Sequence, residues 1–367
     1  MILRMRLTDL LSVLEELAPI RYAESWDNVG LLVGDAGQRV SRVLLTIDYT
    51  AEVAAEARRR KCDVVVSYHP PIFEPLKRVT WPSLIHDAVR RGVAIYSPHT
   101  ALDVAEGGTN DVLAEAMRLY DRRALRVSSG PAGQCKLVVF VPPYAVDKVA
   151  SALFEAGAGR IGNYRCCAFR TPGTGSFFGQ AGAHPAAGKA GKLERVDEFR
   201  LEMVVPMERL REVVRALQDS HPYEEPAYDL VQLASGPEGP GQGRIGVFPS
   251  PVLRQVLFAR IKRELGMSRL LIAGPTKGAV KTAAVGAGAC GDLINDALAQ
   301  KAELYLTGEV RHHDALKAAE AGMTVVCTLH SNSERAVLKR LGQRITEKLP
   351  KLPVHISQAD RDPFTIV

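Results

Sequence analysis

Three short apolar runs in this chain each end in a histidine. Asp63-Val-Val-Val-Ser-Tyr-His69 is followed by Pro70 and Pro71, which forbid further strand pairing. Val93-Ala-Ile-Tyr-Ser-Pro-His99 and Thr324-Val-Val-Cys-Thr-Leu-His330 repeat the arrangement. Continuous β-branched runs of this kind are what a parallel sheet buried on both faces requires. In open α/β sheets, ligands gather beyond the C-terminal strand ends. Each histidine alone fits a packed structural imidazole. If the three strands are parallel neighbours, the imidazoles converge on one edge, as metal ligands do.

The flanking segments supply the crossovers that such strands need. Leu10, Leu11, Leu14 and Leu17 give Thr8 to Leu17 one apolar face, with Thr8 as the expected N-cap. Arg42 to Asp48 predicts a strand, Thr50 to Arg60 an Ala-rich helix, and Pro82 to Arg91 a second helix. This βαβ rhythm implies parallel pairing with right-handed crossovers. Between them, Trp26 reads as a core anchor and Asp27-Asn28 as a turn, with a role for Asp27 near the site as the alternative. His99 to Asp103 reads as a loop, and Thr109 as the cap of a helix from Asn110 to Leu119.

The composition changes near Ser128-Ser-Gly-Pro-Ala-Gly133, and an internal repeat follows. Lys136 to Pro142 and Phe199 to Pro206 are strands ending in proline. Each precedes a helix (Val146 to Ala156, Met207 to Gln218) and then another strand. Two β-α-β units of this size predict a ferredoxin-like sandwich. After Ser235 to Gly243 the first style resumes. The expected architecture is an α/β core made by both termini (1–130 and 248–367), with an α+β domain inserted at 131–247.

Charge and cysteine usage exclude several classes. There are 47 basic and 41 acidic residues, a formal charge of +6. The basic residues are dispersed, and Arg58-Arg59-Arg60-Lys61 suits a helix C-terminus, so nucleic-acid binding is not expected. None of the six cysteines forms a C-x-x-C pair, which argues against a zinc ribbon and for thiols of a reducing compartment. Neither a signal peptide nor a run of transmembrane length is evident, so a cytoplasmic protein with no membrane partner is expected.

Several pairs can carry chemistry. His330-x-x-x-Glu334 places an imidazole and a carboxylate where both reach one divalent ion. Ser331-Asn-Ser-Glu334 fits a helix capping box equally well. His99-x-x-x-Asp103 supplies a nitrogen and a hard oxygen. Mixed His/carboxylate sets suit Zn, Mn, Fe or Ni. Gly308-Glu309 and His312-His313-Asp314 follow another strand; they read as an ordinary helix start with acidic and polar residues, or as groups placed to orient ligands or move protons. Gly286-Ala-Gly-Ala-Cys-Gly291 matches a dinucleotide fingerprint formally, but Asp292 would repel a pyrophosphate. Its glycines read instead as a tight turn at the same edge. His221-Pro-Tyr-Glu-Glu-Pro226 reads as a structural loop, with a metal or anion site as the alternative.

Together, Trp26-Asp-Asn-Val-Gly-Leu-Leu-Val-Gly34, Ser67-Tyr-His-Pro-Pro-Ile-Phe73, Ser97-Pro-His-Thr-Ala-Leu-Asp103, Thr307-Gly-Glu-Val-Arg-His-His-Asp314 and His330-Ser-Asn-Ser-Glu334 resemble the Nif-three-like family. Its members are also described as GTP cyclohydrolase I type 2 homologues. The inserted segment resembles the PII-like insert of the longer members. The resemblance implies a toroidal homohexamer whose metal centres, usually dinuclear, face an interior cavity. It implies one or two divalent transition-metal ions (Zn, Fe, Mn or Ni) held by His69, Asp103, His330 and Glu334. His99 and Glu309 are the candidates for orienting or proton-transfer roles. Many bacterial members carry two adjacent histidines in the first motif. Here the first is Tyr68, as in the eukaryotic-type branch, which removes one nitrogen ligand and bears on the second metal. The function implied is hydrolysis of a nucleotide or phosphoester by metal-activated water. The alternative is a non-catalytic, metal-binding oligomeric scaffold or regulator that binds protein partners.

Overall fold

The predicted βαβ crossovers form, and the core they build has two sheets. The computed structural model describes residues 5–127, 134–233, 239–289 and 291–365. The chain forms two units, Met1–Ser128 with Gly236–Val367, and Ser129–Ser235. The α/β core is therefore built from both termini. The expected second boundary, at 247, moves back to Ser235, before the Gly241–Leu253 strand. That strand pairs with Tyr120–Val127 and Ala279–Gly286 of the core, so it cannot close the insert. The first expected boundary, Ser128 to Gly133, lies outside the described residues, as does Cys290 of the glycine-rich motif.

In the core, one five-stranded sheet runs Val354–Ile356, Val43–Thr46, Val64–Ser67, Ala94–Ser97, Gly30–Val33. Only Gly30–Val33 is antiparallel to its neighbour. Its central strands are buried at every position because helices cover both faces. Leu7, Leu10, Leu14 and Leu17 of the first helix join Val337, Leu341 and Ile345 against Val43, Leu45, Val64 and Val66. The alternate residues Leu44, Val65 and Ile95 meet Val53, Ala54 and Ala57 on the opposite face. The period-two alternation of a strand assigns those residues to opposite layers.

The second sheet has six strands, ordered Leu271–Ala273, Thr324–Cys327, Leu304–Thr307, Ala279–Gly286, Gly241–Leu253, Tyr120–Val127. Its middle three, Thr324–Cys327, Leu304–Thr307 and Ala279–Gly286, are parallel. The strands leading to His69 and His99 are parallel neighbours in the first sheet, whereas the His330 strand belongs to the second. The expectation of three neighbouring strands is corrected to two plus one.

Short-range signals were less reliable at helix ends. The first helix begins at Leu7, and Asp9 Oδ2 accepts from the Arg6 backbone N–H at 3.0 Å, so Thr8 is inside the helix. Gly108, not Thr109, precedes the Thr109–Met117 helix. His99 to Asp103 is not a loop but part of the helix His99–Val104. Trp26, expected in the core, is 59% exposed.

The inserted unit has four antiparallel strands in the order Tyr228–Gln232, Gln134–Val141, Leu193–Pro206, Phe169–Phe178. Numbered along the unit this is 4-1-3-2, the order of a ferredoxin-like sandwich. The helices Val146–Glu155 and Leu210–Ser220 pack Val149, Leu153, Val213 and Leu217 onto Leu137, Val139, Leu201 and Met203. His221 serves this unit's structure. Its Nε2 lies 3.0 Å from the Phe140 carbonyl, and its Nδ1 accepts from the Tyr223 N–H at 3.1 Å.

Candidate metal centre

The strand ends of the two core sheets meet where His69, His330 and Glu334 lie together, with one donor atom from each within 4.8 Å of the others. Leu329 precedes His330 with φ of 66°, a costly conformation for a branched residue. It turns the chain from strand to the short helix His330–Glu334. The capping-box alternative for Ser331 and Glu334 does not form. The Ser331 hydroxyl donates to Asp362 Oδ2 at 2.8 Å, and Glu334 faces inward.

Glu334 bridges the two imidazoles. Its Oε1 is 3.3 Å from His330 Nε2 and its Oε2 is 3.2 Å from His69 Nε2. The second pair lacks hydrogen-bond geometry, so His69 Nε2 and Glu334 Oε2 are both buried without a hydrogen-bond partner. The two atoms face each other as a buried ion pair without a hydrogen bond between them, an arrangement that a shared cation would satisfy. Burial would raise the Glu334 carboxyl, but His330 and His69 outweigh it and hold it below its usual range.

Gly288 closes the site from the second sheet. Its φ is +63°, and a Cβ there would sit 2.5 Å from Glu334 Oε1 and 3.3 Å from His330 Nε2. The turn is locked from behind. The Gly288 N–H donates to Ser333 Oγ at 2.8 Å, and the Ser333 hydroxyl donates to the His330 carbonyl at 2.7 Å. Gly288 of the glycine-rich motif thus makes room for Glu334 and His330. Gly288→Ala is expected to lose metal binding and to destabilise the fold by about 1–2 kcal/mol, the cost of an alanine in the left-handed region. Metal analysis and a denaturant melt check this, and normal metal content in the variant would refute the steric reading.

His69 and His99 are each oriented by a carboxylate, and a third carboxylate stands near His330. His69 Nδ1 lies 2.9 Å from Asp48 Oδ1, which fixes the proton on Nδ1 and leaves Nε2 for the centre. His330 Nδ1 lies 3.6 Å from Glu309 Oε1. His99 Nδ1 lies 2.7 Å from Asp27 Oδ1, whose other oxygen accepts from the Thr100 N–H at 3.1 Å. Asp27 is therefore more than a turn residue, and it steadies His99 at a strained φ of 24°. The His99 ring packs edge-on to His69 and to Tyr68, with centroids 5.4 and 5.8 Å away.

Asp103 does not join the triad directly. The buried Tyr68 hydroxyl donates a short hydrogen bond to Asp103 Oδ1 and receives one from the Thr109 hydroxyl at 3.3 Å. Burial pushes Asp103 up to about 6 against the Tyr68 bond, with nearby Glu334 adding to the rise. Burial and the Asp103 charge raise the Tyr68 phenol well above its ordinary value. His312 and His313 are exposed and take no part.

Two of these residues were not singled out from the sequence as site groups, Asp48 and Gly288. Asp48 did have a signal, since it closes the apolar run Arg42 to Asp48 on the strand beside His69. Two further contacts bring the sheets together. Asn110 donates to the Asp103 carbonyl at 3.0 Å and accepts from the Ala287 N–H at 2.9 Å. Asp360 Oδ2 accepts from the Ile47 N–H at 2.9 Å and from Arg335 Nη1 at 2.6 Å. The first ties the His99–Val104 helix to the Gly288 turn, and the second ties the Asp48 strand end to the helix after His330.

Comparison with known proteins gives consistent results. The Duf34/NIF3 (NGG1p interacting factor 3) family pattern matches residues 5–363. A Bacillus subtilis (strain 168) protein called GTP cyclohydrolase 1 type 2 homolog is 34% identical over 98% of both chains. A protein of the same name from Mycobacterium tuberculosis (strain H37Rv) is 33% identical, covering 98% of this chain and 97% of its own. Among solved structures, a Bacillus cereus protein related to NIF3 is 34% identical with a TM-score of 0.69 over 99% of both chains. A Staphylococcus aureus protein is 25% identical with a TM-score of 0.77 over the same shares.

Proposed function

Because the chain belongs to the Duf34/NIF3 family, we propose that the cluster between its two core sheets holds divalent metal and serves hydrolysis of a nucleotide or other phosphoester. His69, His330 and Glu334 hold one ion, and Asp103 completes the set from the Tyr68 side. The donor set suits Zn, Mn, Fe or Ni. When bound, such an ion supplies Lewis acidity and eases the deprotonation of water. Asp48 keeps the His69 tautomer that presents Nε2. His99, steadied by Asp27, and the half-exposed Glu309 are the proton-transfer groups at the mouth. The observation that carries the reading is the facing pair of buried atoms, His69 Nε2 and Glu334 Oε2, 3.2 Å apart without a hydrogen bond.

The test is turnover of GTP and a panel of nucleotides and phosphoesters by metal-loaded protein, beside His330→Ala. Hydrolysis lost together with metal in the variant supports the proposal. Stoichiometric metal with no turnover of any substrate overturns the enzymatic part and leaves the non-catalytic scaffold. We further infer a homo-oligomer, with a ring of six as the expected form, to be measured by sedimentation. No described helix is long and apolar enough to cross a membrane. The described cysteines are free, which suits a reducing compartment such as the cytoplasm.

A pH dependence follows from His69. Burial disfavours its charge, but Asp48 and Glu334 outweigh burial and push its pKa up to about 10 in the metal-free protein. A raised histidine contributes stability that is complete below its ordinary value near 6.5 and is lost as pH rises towards about 10. Metal must displace that proton, so its affinity rises over the same window. The melting-temperature gap between loaded and metal-free protein is therefore expected to widen with pH. Calorimetry checks this, and a gap that narrows as pH rises counts against His69 as a ligand.

A further inference from the structure

A cleft of about 1160 Å³ in the α/β core lies beside the His99–Val104 helix and carries none of the groups assigned to metal. Six arginines line it: Arg21, Arg122, Arg123, Arg244, Arg340 and Arg344. Four carboxylates oppose them. Arg244 is committed to structure. It pairs with buried Asp111 at 2.7 Å and donates to the carbonyls of Gly241, Gly243, Val104 and Ala105. Arg122 and Arg340 share a single carboxylate, Glu115. Glu16 is engaged by Lys348 at 2.6 Å.

Among the described residues, Arg21, Arg123 and Arg344 have no carboxylate partner. Arg21 lies over the Tyr22 ring at 4.9 Å, Arg123 donates to Gln300, and Arg344 donates to the Glu106 carbonyl at 2.9 Å. Gly107, at φ +70°, lets the Arg344 head lie against the backbone, where a Cβ would meet Nη1 at 3.0 Å. Several guanidinium groups around one concavity repel each other and focus a positive potential. Their planar forks match phosphate oxygens better than lysine ammonium groups do. A single negative charge would leave a surplus, and a chain of phosphates would not.

We propose that this cleft is a binding site for a small molecule bearing two or more linked phosphates. It is separate from the metal centre and independent of the hydrolytic reading. The two sites share the His99–Val104 helix, so the test must distinguish them. Inorganic tripolyphosphate is titrated calorimetrically into the metal-free, full-length chain at low and at physiological salt. One saturable site per chain, weakened by salt, is expected. The double variant Arg123→Gln/Arg344→Gln should bind at least ~10-fold more weakly, from the loss of two charge-assisted bonds. His330→Ala should bind as wild type does. If the double variant does not melt cooperatively, Arg21→Gln, exposed and without a carboxylate partner, should show a weaker loss in the same direction. Absence of saturable binding to wild type, binding unchanged in the variants, or binding lost in His330→Ala overturns the proposal. Dissociation of the oligomer in the double variant with tripolyphosphate affinity unchanged also overturns it, because the cleft is then a contact between copies.

Discussion

Glu334→Ala is expected to leave the protein holding divalent metal at least ~100-fold more weakly, since loss even of a group that only orients a ligand costs 10–100-fold. Among the described residues, Glu334 alone reaches both imidazoles, one through each oxygen. Its removal also leaves two half-buried histidines crowded together, with ring centroids 5.3 Å apart. In the metal-free protein His69 loses one of the two carboxylates that raise its pKa, and that pKa should fall towards its ordinary value. Equilibrium dialysis with metal analysis reads the first effect and NMR titration of the histidines reads the second. Retained stoichiometric metal in this variant would remove Glu334 from the ligand set and leave the centre without a bridging group.

Tyr68→His is expected to raise metal stoichiometry towards two. Tyr68 is buried between His69 and His99, its hydroxyl committed to Asp103. A neutral phenol is a poor ligand, and here burial and Asp103 make it harder still to ionise. The phenol thus takes up the carboxylate that would serve a second ion. An imidazole at this position offers a nitrogen beside Asp103 and releases one carboxylate oxygen. Tyr68→Phe separates the two effects. It removes the bond without supplying a ligand, so metal content should stay as in wild type while stability falls by about 1–3 kcal/mol from the unsatisfied Asp103. A Tyr68→His protein with wild-type stoichiometry would mean that Tyr68 does not stand in a ligand position.

Much of this site is written in local sequence. An apolar β-branched run followed by histidine and then by proline or a helix start places the imidazole at a strand end, because strand period and proline's missing donor act within a few residues. His69, His99 and His330 all lie at such strand ends, and the His330-x-x-x-Glu334 spacing brings its carboxylate to the same side. The helix ends were read less well. Whether Thr8, Thr109 or Ser331 caps a helix depends on partners several residues away, and Asp9, the Leu102 carbonyl against Gly108, and Asp362 decided those cases. Trp26 looked like a core residue by composition alone, yet it stays exposed while its neighbour Asp27 holds His99.

The sequence by itself determined the α/β core from both termini, the inserted β-α-β pair and the residues that end each strand, since periodicity and turn chemistry are local. The tertiary structure alone decided that His330 arrives from a second sheet and that Gly288 leaves space beside Glu334. It also decided that Asp48 orients His69 and that Asp103 is held by Tyr68. No local pattern says which sheet a strand will join. That choice is made by long-range contacts, here Asn110 between Asp103 and Ala287 and Asp360 between Ile47 and Arg335. These contacts hold two independent strand edges face to face, and the candidate metal centre lies between them.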